Sequence, residues 1–147
     1  MIIGVPKEIQ PEEKRIALVP PGVKALRKLG FTVLVESGAG IHADYGNSKY
    51  EEVGAEIVEQ TQELWSRSDI IVKVREPLPR EAALLNDHGK LISFFWPDKN
   101  GELLQQLSAK WATALAMDCI PRITRAQKMD ALSSMANVAG YRAVVEA

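Results

Sequence analysis

The 147-residue chain is 46% hydrophobic and 25% charged, the balance of one globular domain rather than of a disordered, collagenous or disulfide-stapled chain. Eighteen Lys and Arg against nineteen Asp and Glu give a net charge of -1, so there is no basic field for nucleic acid or an anionic membrane. Cys119 has no internal disulfide partner, no apolar run approaches the ~20 residues of a membrane span, and Pro6, Lys7 and Glu8 come too early for a secretory leader; a cytoplasmic setting is expected.

In chain order, residues 1–5 (MIIGV) read as a short buried strand. Residues 20–30 follow as a helix, with Val23, Leu26 and Leu29 at helical spacing, prolines at its start and Gly30 as its stop. The β-branched run 31–37 is a strand, 50–59 mixes a short helix with a strand, and 61–68 is a helical turn that Thr61 is expected to cap. Residues 69–77 are a strand with Ile70, Ile71, Val72 and Val74 around Lys73, ended by Pro77. A helix starts at Pro79 and runs over 79–86. A strand over 90–97, a helix over 100–111 with Leu103, Leu104 and Leu107 on one face, and a strand over 112–120 complete the pattern. Continuous rather than alternating apolar strands predict an α/β fold: an open parallel sheet of about five or six strands with helices on both faces. Lys73 and Trp96 each sit late in a strand and are expected near the carboxyl ends of adjacent strands.

Residues 122–147 read as a loop and one long helix, with Thr124 and Gln127 as a capping box. Gln127, Asp130, Ser134 and Asn137 fall on one face and Met129, Leu132, Met135 and Ala139 on another. Ala136, Gly140, Ala143 and Ala147 make a stripe of small residues. The helical pattern is still running at Ala147, which suggests a piece of a longer chain or a subunit completed by a partner.

Several features bear on chemistry. Gly38 to Ala43 (GAGIHA) has the form of a dinucleotide fingerprint, but Asp44, Gly46 and Asn47 follow too soon for the helix it should open, so a glycine turn is the better reading. His42 and His88 lie in turns without neighbours at metal-ligand spacing, so no metal site is expected. Arg15 is either part of a solvated charge run or an anion contact. Lys73, inside an apolar strand, must pair or serve a site. Arg122, Gln127, Asp130 and either Ser133 or Ser134 gather around one helix start. A guanidinium donates to the carbonyl of a nicotinamide carboxamide and a carboxylate accepts from its NH₂, so Arg122, Asp130 and a serine suit that amide; a cap and an Arg–Asp surface pair would use the same spacing.

Residues 121–146, from Pro121-Arg-Ile-Thr-Arg-Ala-Gln to Val145-Glu146, closely resemble the signature of the proton-translocating NAD(P) transhydrogenase α-subunit family. VLVESGAG (33–40), YEEVGAEI (50–57), DIIVKV (69–74) and SFFWP (93–97) resemble it as well. Alanine dehydrogenases share the opening, including Arg15 and Lys73, but place a histidine near residue 96, where this chain has Trp96. Amine chemistry needs a proton donor and acceptor beside the carbon, whereas hydride passing between two nicotinamides needs none. The resemblance therefore favours transhydrogenase over an alanine dehydrogenase-like fragment or a non-catalytic module.

It implies a Rossmann-like or flavodoxin-like half (1–121) and a catalytic-type loop with the start of a linking helix (122–147), leading to the NAD-binding half. It implies NAD as cofactor, NADP on a partner β subunit, a membrane domain, a homodimer, and a cytoplasmic position peripheral to the inner membrane. By resemblance Arg122, Asp130 and Ser133 orient the NAD(H) nicotinamide, Gln127 reaches toward the NADP(H) side, and Arg15 and Lys73 are inherited architecture.

Overall fold

In a computed structural model describing all 147 residues, the apolar runs form six strands: β1 (Ile2–Val5), β2 (Thr32–Glu36), β3 (Glu56–Val58), β4 (Ile70–Val72), β5 (Lys90–Ser93) and β6 (Thr113–Ala116). All pairings are parallel, in the order β3-β2-β1-β4-β5-β6. The helices are α1 (Pro20–Lys28), α2 (Asn47–Glu52), α3 (Thr61–Arg67), α4 (Pro79–Ala82), α5 (Gly101–Ala109) and α6 (Ala131–Glu146).

Both faces of the sheet are covered, which is why the strands are apolar throughout. Within β2, Val33 and Val35 join Val5, Val23 and Tyr50 in one core, while Leu34 joins Leu64, Trp65, Ile71, Leu91 and Leu107 in the other. Each large side chain buried in this way stabilises the fold by about 1.5–3 kcal/mol. Gly30, at φ +88, ends α1 in a conformation that residues with a Cβ rarely adopt. Lys73 directly follows β4 and Trp96 lies shortly past β5, so they stand at the carboxyl ends of adjacent strands as expected.

Four local expectations are corrected. The strand over 69–77 is cut to Ile70–Val72 because Glu8 Oε1 accepts the Val74 N–H at 2.6 Å and Oε2 the Arg75 N–H at 3.3 Å. The helix over 79–86 stops at Ala82, and Leu84 and Leu85 go on with tighter bonds to Glu81 and Ala82. Thr61 does not cap α3; its hydroxyl donates to Glu36 Oε1 at 2.7 Å and ties the helix to the end of β2.

The fourth is the terminal segment, which is not one helix capped at Thr124. Thr124–Met129 forms a 3₁₀ helix, Asp130 breaks it at φ -77, ψ 80, and the Asp130 carboxylate caps α6. Aspartate accepts from the N3 N–H better than a threonine placed about two turns too early, so the cap moves to the residue with the stronger acceptor. Gln127 and Asp130 therefore do not share a helix face with Ser134 and Asn137.

Candidate functional site

The strand order reverses between β1 and β4, the point where open parallel sheets leave a crevice beyond the strand carboxyl ends. A cavity of about 450 Å³ lies there, walled by Ile16, Val74, Phe94, Met117 and, from α6, Met135. The cations on its wall, Arg15 and Lys73, are both neutralised from within the chain.

Lys73 Nζ sits 2.5 Å from Glu81 Oε1 and 3.8 Å from Glu8 Oε2, and all three side chains are buried. Glu81 Oε2 accepts the Leu78 N–H at 2.9 Å. Burial pushes the Glu8 carboxyl above its ordinary value, opposed by the Lys73 charge and the Val74 and Arg75 N–H groups. Lys73 is thus a paired lysine. Arg15 stays exposed, as a charge run implies, but it is paired within that run: its Nε donates to Glu13 Oε1 at 2.7 Å and its Nη2 to Oε2 at 2.5 Å. Arg75 Nε reaches the same Oε2 at 2.8 Å.

The bond from Arg15 leads the groups that hold the Glu13 carboxyl down from 4.5 to about 2. A depressed carboxyl contributes stability that is present above pH 4.5 and lost as pH falls toward 2. Glu13→Gln is therefore expected to lower the urea midpoint above pH 4.5 and to approach the parent as pH falls to about 2, where half of the Glu13 charge is already lost. A deficit that is the same at both ends of that range refutes the assignment.

The GAGIHA segment is a glycine turn. Ile41–Ala43 makes one 3₁₀ turn that ends at Asp44 in the left-handed region. The Gly38 N–H is taken by Asn47 Oδ1 at 2.9 Å, and the Ala39 and Ala43 N–H groups by Glu36 and Gly40 carbonyls. Gly38 has φ +75, and a Cβ on Gly40 would lie 2.5 Å from the Tyr45 carbonyl oxygen. Both glycines are thus explained by the turn, and the N–H groups of Gly38, Ala39, Ile41 and Ala43 are already bonded within the chain. His42 and His88 are exposed.

The segment from 122 to 133 keeps its polar groups outward. Buried Ala126 anchors the 3₁₀ helix against the body, while Arg122, Gln127 and Ser133 are exposed. Asp130 Oδ1 accepts the Ser133 N–H at 2.9 Å and Oδ2 accepts the Ser133 hydroxyl at 2.6 Å. These bonds, with a smaller contribution from the Arg122 charge, hold the Asp130 carboxyl below its ordinary value. Asp130 and Ser133 are thus in contact, Arg122 is within electrostatic reach, and Gln127 is a neighbour whose carbonyl accepts the Asp130 N–H at 3.2 Å.

Residues overlooked in the sequence are four acids that hold the loops beyond the strands: Glu8 and Glu13 after β1, Glu81 in α4 and Asp118 after β6. Asp118 Oδ1 accepts the Phe95 N–H at 2.9 Å and Oδ2 the Trp96 N–H at 3.2 Å. Glu8 and Asp118 bond across long sequence separations, so no local spacing announces them.

A six-stranded parallel sheet of this order, with an apolar crevice at the switch point, places the chain among Rossmann-like α/β proteins. A family profile described as "Alanine dehydrogenase/PNT, N-terminal domain" matches residues 4–139, and the chain belongs to that family. It is 50% identical over 147 residues to NAD(P) transhydrogenase subunit alpha of Cereibacter sphaeroides, covering 100% of this chain and 28% of that protein. It is 38% identical over 143 residues to alanine dehydrogenase of Bacillus subtilis, covering 97% of this chain and 37% of that one. Among solved structures, the transhydrogenase from Sinorhizobium meliloti superposes with a TM-score of 0.95 at 39% identity, over 100% of this chain and 44% of that chain. The chain spans less than half the length of each of these relatives. No helix is long and apolar enough to cross a membrane.

Proposed function

We propose that the chain is the N-terminal part of the NAD(H)-binding subunit of a proton-translocating NAD(P) transhydrogenase, which passes hydride between NAD(H) and NADP(H). The observation that carries this reading is the outward cluster of Arg122, Asp130 and Ser133 at the start of α6. Arg122 supplies donors for a carboxamide oxygen, and Asp130, already ordered by Ser133, accepts from the carboxamide NH₂. Gln127, exposed beside them, suits the second nucleotide. NAD supplies the hydride chemistry when bound; these residues set the ring's angle and distance. Residues 1–121 form the first subdomain, and 122–147 the positioning loop and the helix toward the second, nucleotide-holding half. The partners are a β subunit with NADP, a membrane domain and a second copy of the subunit, in a cytoplasmic setting peripheral to the membrane.

The alanine dehydrogenase reading is the alternative, and position 96 speaks against it: an indole neither gives nor takes the proton that imine chemistry needs. The test uses the native subunit with its NADP-binding partner. Hydride transfer from NADPH to an oxidised NAD analogue is expected, and L-alanine with NAD is expected to give no reduction. The opposite pair of results overturns the proposal.

The 147-residue chain by itself is expected to show no micromolar NADH binding in calorimetry. A pyrophosphate needs free N–H groups at a glycine turn opening a helix, whereas the turn at Gly38 to Ala43 opens only the 3₁₀ turn Ile41–Ala43 and has the N–H groups of Gly38, Ala39, Ile41 and Ala43 already bonded. Micromolar binding would return that turn to the list of nucleotide contacts.

A further inference from the structure

Past β5 the chain turns sharply, and Trp96 stands at φ +46, a conformation that costs a bulky residue energy unless its surroundings enforce it. All four backbone polar groups of Phe95 and Trp96 are held. Asn100 Nδ2 donates to the Phe95 carbonyl at 2.6 Å, giving up the cap of α5 to do so. The Lys99 N–H donates to the Trp96 carbonyl at 2.9 Å. The two N–H groups form a small anion-binding concavity, and the acceptor in it is Asp118. Phe95 itself is buried in the core, so the turn has one fixed end, while the Trp96 ring is partly exposed with Lys99 Nζ 5.8 Å from its centroid.

Asp118 belongs to the 3₁₀ turn Met117–Cys119 that follows β6, and α6 packs against that turn. Phe94 and Met117, the residues just before the two ends of this clamp, both line the crevice, together with Ala131 and Met135 of α6. The carboxylate therefore joins the end of β5, the end of β6 and the seat of α6.

We propose that Asp118 is a positioning residue: by receiving the Phe95 and Trp96 N–H groups it holds the Trp96 turn in its left-handed form and fixes the base from which the 122–130 loop departs. Its catalytic consequence rests on the transhydrogenase reading; its structural consequence does not.

The experiment labels the native subunit with 5-fluorotryptophan and assigns the Trp65, Trp96 and Trp111 resonances by single Trp→Phe replacements. In Asp118→Ala and Asp118→Asn the Trp96 resonance is expected to move or broaden while Trp65 and Trp111 hold, and Asp118→Glu is expected to restore it. In Asp118→Asn the amide NH₂ would face one of the two N–H donors, so only one bond survives. Hydride transfer is expected to fall about tenfold in the Ala variant with the NADH dissociation constant unchanged, through the misplacement of the loop. An unmoved Trp96 resonance, movement of all three resonances together, or a falling affinity at constant rate overturns the proposal. A parent protein with no hydride transfer refutes the transhydrogenase reading instead, and the fluorine spectra then decide the clamp.

Discussion

Arg122→Ala and Asp130→Asn in the native assembly are expected to slow hydride transfer by on the order of 100-fold while lowering NADH affinity far less. Hydride transfer needs the reacting carbons about 3–3.5 Å apart and aligned, so a small tilt of the ring is costly in rate. On the transhydrogenase reading, this exposed site exchanges the lost bond for one to water at a net cost of about 0.5–1.5 kcal/mol of affinity, roughly tenfold at most, while the rest of the nucleotide is held elsewhere. The structure decides which Asp130 variant is informative. Because Asp130 caps α6, Asp130→Ala would also destabilise the helix by about 1 kcal/mol, whereas asparagine keeps the cap and removes only the charge. Thr124→Ala should leave α6 unaffected, since the Thr124 side chain makes no cap bond. Stopped-flow hydride transfer and NADH dissociation constants on the same variants are the measurement. A rate near that of the parent with reduced binding would make these residues affinity determinants instead.

Lys73→Met is expected to destabilise the domain by about 3–5 kcal/mol at neutral pH, the largest single effect on stability foreseen here. It leaves the buried Glu8 and Glu81 carboxylates facing one another without a cation. The pH dependence has a definite sign. Glu8 already titrates above its ordinary value because of burial, and removing Lys73 removes the opposing charge. A carboxyl with a raised native pKa favours the fold at low pH and loses that contribution as pH rises. The deficit of Lys73→Met should therefore be smallest near pH 4 and grow toward pH 7. Pairing it with Glu81→Leu should recover part of the loss, because a buried ion pair replaced by apolar groups costs little. Urea midpoints across that range test both statements. A deficit that does not vary with pH would mean that the lysine contributes packing and not charge.

What the sequence by itself determined is the part governed by local pattern. Continuous apolar runs between proline and glycine stops specify a parallel sheet with helices on both faces, because strands buried on both sides have no polar period to show. The same rule placed Lys73 and Trp96 at neighbouring strand ends. The signature from Pro121 to Glu146 carried the family. The cap of α6 lay about two turns later than Thr124, because two hydroxyl-or-acid residues compete for that role and only the backbone break at Asp130 selects between them. Tertiary structure decided the long-range pairings. Arg15 meets Glu13 two residues away and Lys73 meets Glu81 eight residues on, but Glu8 reaches Lys73, and the Phe95 and Trp96 N–H groups meet Asp118, through contacts set by strand order. Glu8 reaches Val74, and Asp118 reaches Phe95, only because the sheet brings β1, β4, β5 and β6 side by side; no periodicity in the chain encodes a partner that lies a whole crossover away.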